Sequence, residues 1–231
     1  MSSIASTSRS RDHALQPLSD PVAIRSELVA SEETELRLYP RANRKSATEY
    51  TINNVFTGST VLSVTGRKYG NSPGREFRDS SGLPLFELRR AGFLIRPWKV
   101  QLPGDDSKNL ASIYMEGPSK KITLNIAENQ APAIGGAKGV DVEKKVTLKV
   151  FRKTALYTFD VLVGDQKVAH IQENPELNRS VGHLMSSPYD YVPPRRILDI
   201  RLAEGLDASI VSLSSNHGSL YGAPGLNTSN C

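Results

Sequence analysis

Two short stretches of the sequence contain residue types that act as catalytic groups in other proteins. Residues 70–74, GNSPG, match the G-x-S-x-G pattern of a hydrolase nucleophile elbow. An elbow needs a strand, a sharp turn and then a helix, so that the serine stands above a sheet. Residues 75–79 are instead typical of a further strand, and we interpret the motif as a connection between strands. Residues 135–139, GGAKG, lack the order of a phosphate-binding P-loop and indicate a flexible loop.

The histidines and aspartates do not have metal-site spacing either. No two histidines fall at the HExxH or HxxEH spacing of zinc hydrolases. Asp105 and Asp106, considered with Asp79, lack the oxygen density of a calcium loop, so we interpret them as turn residues. We therefore predict no catalytic residue, no metal site and no cofactor, and we expect that the protein is not an enzyme. The histidines concerned are His13, His170, His183 and His217.

Composition narrows the class of protein further. The chain has 231 residues, a formal net charge of +5 and one cysteine. A single cysteine excludes an internal disulfide and a four-ligand Cys/His zinc site. No apolar run approaches the roughly 20 residues of a membrane-spanning helix, and the polar N-terminus lacks the apolar core of a secretory signal. We expect a cytoplasmic monomer.

Alternating apolar and polar residues dominate the middle of the chain. From Lys121 to Ala127, every second residue is Ile or Leu. In residues 145–153, alternation places Val146, Leu148 and Val150 on one face and Lys145, Lys149 and Lys153 on the other. This period of two is typical of strands with one wet face. Gly164-Asp165 is suited to a tight hairpin turn. About a dozen such strands lie between Thr34 and Ala203, which predicts an all-β protein.

One helix is predicted, near residues 207–216. Asp207 is a suitable N-cap, and no charged residue lies between Ala208 and Ser215. An uncharged helix of small and apolar residues is typical of a buried helix, and a closed barrel around it would leave no strand edge exposed. The predicted core comprises Ile122, Leu124, Ile126, Val146, Leu148, Val150, Tyr157, Phe159, Val161, Ile210, Val211 and Leu213.

The ends of the chain differ in composition from its middle. Residues 1–33 contain few large apolar side chains and no periodicity, so we predict a disordered leader. Residues 34–218 form the predicted barrel domain, and the Gly/Ser/Asn-rich residues 219–231 a flexible tail. Two long loops, 128–143 and 174–194, interrupt the strands, and the second is rich in proline.

Three features, in this order, resemble LURP-one-related proteins. They are the segment RDSSGLPLFELRR at residues 78–90, the following Trp98, and IRLAEGLDASIV at residues 200–211. The resemblance spans about residues 34–218. It implies the tubby C-terminal-like fold, a closed barrel of about twelve strands around a C-terminal hydrophobic helix, which is also attributed to phospholipid scramblases. The two long loops and the polar end of the helix depart from the family pattern, as in a fungal or otherwise divergent member.

The basic residues are the remaining feature with a binding consequence. Residues 1–33 contain three basic and five acidic groups, which leaves +7 for the rest of the chain. Several basic side chains lie on or beside predicted strands, and clustered Lys and Arg attract anionic lipid. The candidate lipid contacts are Arg89, Arg90, Lys120, Lys121, Lys145, Lys149, Lys153, Arg195 and Arg196.

Two functional hypotheses follow. The resemblance to tubby proteins, which bind phosphoinositides, implies a non-enzymatic module that docks to anionic membrane lipid, peripherally at a membrane. The alternative is a protein-interaction or regulatory module with no lipid ligand, whose contact with an unknown protein partner is made by loop 174–194. Plant relatives, which are associated with defence responses, allow this second hypothesis too. Nucleic acid is disfavoured as a partner because aromatic residues do not interleave with the basic ones.

Overall fold

Twelve antiparallel strands form one closed barrel in the computed structural model of the chain. The structure describes residues 14–40, 49–69, 72–90, 97–116, 121–127, 129–130, 145–153, 158–179 and 196–213. Each strand pairs with its neighbours in the sequence, and β1 pairs with β12 to close the barrel. The all-β closed barrel predicted from the alternation is confirmed. The strands are β1 Thr34–Pro40, β2 Tyr50–Asn54, β3 Thr60–Tyr69, β4 Ser72–Arg78, β5 Pro84–Arg90, β6 Trp98–Leu102, β7 Asp105–Glu116, β8 Lys121–Ile126, β9 Val146–Lys153, β10 Thr158–Val163, β11 Gln166–Glu173 and β12 Leu198–Leu202.

Inward and outward side chains alternate along β8 and β9 as predicted. Ile122 pairs with Val150 and Leu124 with Leu148, and all four side chains are buried. Successive residues of a strand point to opposite faces, so Lys121 and Lys149 of these strands lie on the outside. Of the predicted core residues, Val146 is only partly buried and Tyr157 lies outside the described residues. The remaining ten are buried.

Local side-chain hydrogen bonds shape the turns between strands. Gly164 adopts a φ of 58° in the predicted hairpin between β10 and β11. The Asp79 carboxylate accepts hydrogen bonds from the backbone N–H groups of Ser81 and Leu83, both at 2.9 Å. The Asp105 carboxylate similarly accepts from the backbone N–H and the hydroxyl of Ser107. Both aspartates are thus turn residues, as their sequence context indicated.

The predicted C-terminal helix is seen over residues 208–213, and every one of these residues is buried. Asp207 caps it as predicted, because its Oδ1 accepts from the backbone N–H of Ser209 at 2.7 Å. Tyr50 of β2 donates from its hydroxyl to the Ser212 carbonyl at 3.3 Å. The other α-helical stretch of the described residues, 175–179, is equally short. A long central helix is therefore not shown, and residues 214–216 lie outside the described part. No described helix has the length and apolar character needed to cross a membrane.

Residues 14–33, which we name the strap, correct the prediction of a disordered leader over 1–33. The strap packs on the end of the barrel where β11 begins and β12 ends. The Leu18 N–H donates to the Glu204 carbonyl at 3.0 Å, and the Val22 N–H donates to the Gly205 carbonyl at 2.9 Å. Leu18, Val22 and Ile24 are buried against the barrel core. Burial of these few apolar side chains offsets the entropy of ordering the segment. Residues 1–13 of the predicted leader lie outside the described part of the chain.

Asp207 joins the strap to the helix. Its Oδ2 accepts from the backbone N–H groups of Ile24 at 2.9 Å and Arg25 at 2.8 Å, while its Oδ1 caps the helix. The residue is completely buried. Burial raises the pKa of the carboxyl to about 6, and the hydrogen bonds to its oxygens oppose that rise. One carboxyl group thus links the strap to the start of the helix.

Candidate functional site: a basic stripe on two strands

The candidate lipid contacts separate into three places around the barrel. Arg89 and Arg90 end β5, and Arg196 precedes β12. Lys121, Lys145, Lys149 and Lys153 lie together on or beside the neighbouring strands β8 and β9. Lys120 and Arg195 lie outside the described residues. The barrel therefore brings four of the nine candidates to one region, and it does not gather the rest there.

Ion pairs already engage two of the other candidates. The Arg89 guanidinium lies 2.5 Å from Glu87 and also pairs with Asp106, and the side chain of Glu87 is almost completely buried. Arg196 pairs with Glu173. A cation held against a carboxylate presents little net charge to a third group. We therefore exclude Arg89 and Arg196 from the candidate site.

Lys121 of β8 and Lys145, Lys149 and Lys153 before or on β9 occupy positions on the same face of the two paired strands, and we name these four positions the basic stripe. Lys145 immediately precedes β9, and Lys149 and Lys153 follow along it. At about 3.3 Å per residue, lysines four positions apart are separated by about 13 Å along the strand. Lys149 is paired in register with Thr123 of β8, so Lys121 is its diagonal neighbour, at about 7–8 Å. The stripe thus extends over about 26 Å of barrel surface.

Two exposed aromatic residues border the basic stripe. Phe151, between Lys149 and Lys153 in sequence, has 39% of its surface exposed, and Tyr114 of β7 has 42% exposed. The ammonium of Lys121 lies 6.0 Å from the centre of the Phe151 ring, at the outer limit of a cation–π contact. The sequence analysis missed both aromatics. The sequence did contain a signal for Phe151, because it occupies the same alternating positions as the lysines of β9 and must share their face.

The spacing of the stripe decides what it can bind. A single bisphosphate headgroup needs several donors that converge on one point. Among the lysines whose side chains the structure describes, only Lys121 and Lys149 are close enough to approach one phosphate together. A row of lysines about 13 Å apart is better matched to several anionic groups in a plane. The stripe therefore has the shape of a surface contact, without the enclosure of a pocket.

The other groups considered from the sequence are placed as follows. In the GNSPG segment, Ser72 begins β4 and pairs in register with Tyr69 of β3, so no strand-turn-helix elbow forms there. His170 is buried, and its Nδ1 lies 2.6 Å from the Asp160 carboxylate, to which Lys167 also binds at 2.8 Å. The remaining three histidines, loop 128–143 apart from residues 129–130, and residues 180–194 lie outside the described residues.

A buried arginine was not anticipated from the sequence. Arg75 of β4 is only 4% exposed, and its Nη1 has no hydrogen-bond partner among the described residues. Removal from water lowers the pKa of its guanidinium, although Tyr50 nearby acts in the opposite direction. An arginine in a strand is usually on the wet face, so no local pattern marks Arg75 as an interior residue.

Comparisons with known proteins agree with the barrel architecture. A family model described as LURP-one-related matches residues 36–212, a range that contains all three segments on which the resemblance rested. An X-ray structure of a protein from Arabidopsis thaliana is similar, with a TM-score of 0.55 and 16% sequence identity. The similarity covers 87% of this chain and 98% of that chain. At this identity the likeness shows the fold alone. No curated protein matches the chain.

Proposed function

The chain belongs to the LURP-one-related family, and we propose that its barrel is a non-enzymatic module that docks to anionic membrane lipid through the basic stripe. In this proposal the protein is cytoplasmic and binds peripherally at a membrane. The observation that carries the proposal is the grouping of Lys121, Lys145 and Lys149 beside the exposed Phe151 and Tyr114. Lysines bordered by exposed aromatics are suited to a membrane surface, where charged headgroups cover an apolar interior.

The energetics favour weak, reversible attachment. Each lysine near an anionic surface contributes about 1 kcal/mol, so the four of the stripe contribute about 4 kcal/mol together. Partial insertion of Phe151 and Tyr114 among the headgroups adds to this attraction. Because the lysines form a line, we expect little preference for a phosphoinositide over phosphatidylserine at equal charge. Attachment of this kind weakens steeply with salt.

Liposome co-sedimentation of the full chain tests the proposal. One set of vesicles contains a phosphatidylinositol bisphosphate, a second contains phosphatidylserine at matched charge, and a third contains only neutral lipid. We expect similar pelleting with both anionic sets and none with the neutral set. Replacing Lys145 and Lys149 by glutamine should weaken binding about thirty-fold, because two contributions of about 1 kcal/mol are lost.

A matched variant controls for loss of net charge. Lys99→Gln with Lys108→Gln removes two exposed or partly exposed lysines from β6 and β7 and should leave binding almost unchanged. Equal loss in the two double variants would mean that only net charge matters and that the stripe has no role. Strong selectivity for the phosphoinositide would contradict the surface contact and require a convergent pocket instead.

We also infer that the helix seen over residues 208–213 fills the barrel interior. The burial of every residue from 208 to 213 supports this inference, as does the contact between Tyr50 of β2 and Ser212. A filled interior would make the barrel a packed scaffold and would leave ligand binding to its outer surface and its ends. The Ile210 substitution described in the Discussion tests it.

A further inference from the structure

Two hairpin tips display large apolar side chains to solvent. Phe56, in the turn between β2 and β3, has 78% of its surface exposed, and Leu83, in the turn between β4 and β5, has 64% exposed. These are the two most exposed large apolar residues described in the chain. A scattered exposed apolar residue needs no explanation, but two on turns at the same end of a barrel can serve as two anchor points for one partner.

The barrel topology places the two tips side by side. Strands β3 and β4 are paired, and both turns leave the sheet at the same end of the barrel. The centres of the two hairpins are two strand spacings apart, which is about 10 Å. Along the strands they are offset, because Arg78 at the second tip pairs with Ser63, whereas the first hairpin continues about four residues, or about 13 Å, farther to Asn54 and Ser59. Phe56 and Leu83 are therefore on turns about 16 Å apart at one end of the barrel, and strands β5–β7 separate them from the basic stripe.

Hydrogen bonds hold both tips in place. The Asn54 side chain accepts from the backbone N–H groups of Phe56 at 2.9 Å and Thr57 at 3.0 Å. In the second hairpin, Asp79 accepts from the N–H of Leu83 at 2.9 Å. Tips that are fixed in advance lose little conformational entropy when a partner binds.

Acidic residues flank the apolar pair on both sides. Glu32 and Glu35 lie beside the first tip, where the Val55 N–H donates to the Glu35 carbonyl at 3.0 Å. Asp79 lies within the second hairpin, and Asp105 begins β7 two strands farther on. Hydrogen bonds from the Ser81 and Ser107 side chains lower the pKa of Asp79 and Asp105 respectively, which keeps both carboxylates charged.

The arginines near this rim are already engaged. Arg78 donates to the Gly82 carbonyl at 2.6 Å and pairs with Glu76, and Arg201 pairs with Glu33. Lys108 is the cation whose charge acts on Asp105. Among the described residues at this rim, acidic side chains therefore outnumber basic ones, in contrast to the basic stripe.

We propose that the tip patch, formed by Phe56, Leu83, Glu32, Glu35, Asp79 and Asp105, docks a basic amphipathic helix of a partner protein. Charge complementarity favours a Lys- or Arg-rich segment, and the negative rim disfavours an anionic membrane. The apolar spacing of about 16 Å matches two residues eleven positions apart on one face of a helix, which are about 16.5 Å apart. Because this surface is separate from the basic stripe, the proposal does not depend on lipid docking.

The test uses a defined peptide probe with the full chain. The probe is a labelled 18-residue helix of lysine and leucine whose leucines line one face, and its control has the same composition in permuted order. We expect fluorescence anisotropy to show binding of the amphipathic peptide and at least tenfold weaker binding of the permuted one. The double variant Phe56→Ser, Leu83→Ser should weaken binding at least tenfold, while Gln172→Ser, at an exposed position of β11 near the other end of the barrel, should not.

The remaining outcomes each decide the proposal. No binding of the amphipathic peptide, or equal binding by the double variant, overturns it. Concentration-dependent dimerisation that the double variant abolishes would identify a second copy of this chain as the occupant and also overturn it. Loss of liposome binding in the double variant would assign the tips to the membrane. Unchanged liposome binding, together with lost peptide binding, supports two separate surfaces.

Discussion

The carboxylate of Asp207 holds the strap and the helix start together, so its removal should destabilise both. Asp207→Ala leaves three backbone N–H groups, those of Ile24, Arg25 and Ser209, without their acceptor in a buried site. An unsatisfied buried donor costs about 1–3 kcal/mol. Allowing for partial relaxation, we expect a loss of about 3–6 kcal/mol, a large part of the 5–15 kcal/mol typical of a domain.

The substitution Asp207→Asn isolates the charge of this group. The pKa of the folded carboxyl, about 6, is above its ordinary value of 3.8, so the folded state holds the proton more tightly than the unfolded state. The stability that this contributes is fully present below about pH 3.8 and is lost as the pH rises through about 6. One pKa unit corresponds to about 1.4 kcal/mol, so the loss amounts to at most about 3 kcal/mol. Asparagine has no such titration.

Urea unfolding at a series of pH values between about 4 and about 7 measures the effect, with the single tryptophan, Trp98, as the fluorescent probe. The free energy of unfolding of the wild type should fall relative to that of Asp207→Asn as the pH rises. Asp165→Asn, at an exposed turn, serves as the control and should show no such trend. A constant gap between wild type and Asp207→Asn would refute the reasoning. A wild type that gains stability with rising pH would mean that the hydrogen bonds outweigh burial.

Three further substitutions test the interior and the strap contact by thermal or urea unfolding. Ile210→Asp should abolish cooperative unfolding because it buries an unpaired charge. Ile210→Val, the control, should lower the free energy of unfolding by only about 1 kcal/mol. An unchanged thermal melt in Ile210→Asp would contradict a helix in the core. Gly205→Ala should lower the free energy of unfolding by about 1–3 kcal/mol, because φ is +86° and the new Cβ would lie 3.0 Å from the Cβ of Leu18. Gly82→Ala is the control, since Gly82 has a similar φ of +89° but no neighbouring atom that a Cβ would meet. Equal losses of stability in both variants would exclude a contribution from the contact with Leu18. Arg75→Met should raise stability by about 1 kcal/mol or more by removing a buried cation, and a loss would reveal an acceptor for the guanidinium.

Local patterns were enough to predict the strands. Around Ile122 and Leu148, apolar residues that face the core alternate with polar residues that face outward. This period of two follows from strand geometry alone, so it can be recognised in the sequence. The turn residues Gly164 and Asp79 act through their own backbone and nearest neighbours, so their roles were also visible in the sequence. The N-cap role of Asp207 is local in the same way.

The candidate site was only partly predictable. Residue type identified the basic side chains, but their grouping depends on which strands become neighbours and in what register. The structure brings Lys121 beside Lys149 and places Arg89 against Glu87. Glu87 is only two positions from Arg89 in the sequence, but the sequence pattern does not show that Glu87 is buried. Burial is what makes this ion pair persistent.

The sequence by itself determined the β class, most of the core and the cap of the helix, because each depends on contacts within a few residues. Only the tertiary structure decided that the strap is packed against the barrel, since Leu18 and Ile24 are buried by a barrel end assembled from distant segments. The same is true of the apolar tips. Phe56 and Leu83 are 27 positions apart in the chain, and only the pairing of β3 with β4 brings their two turns to the same end of the barrel.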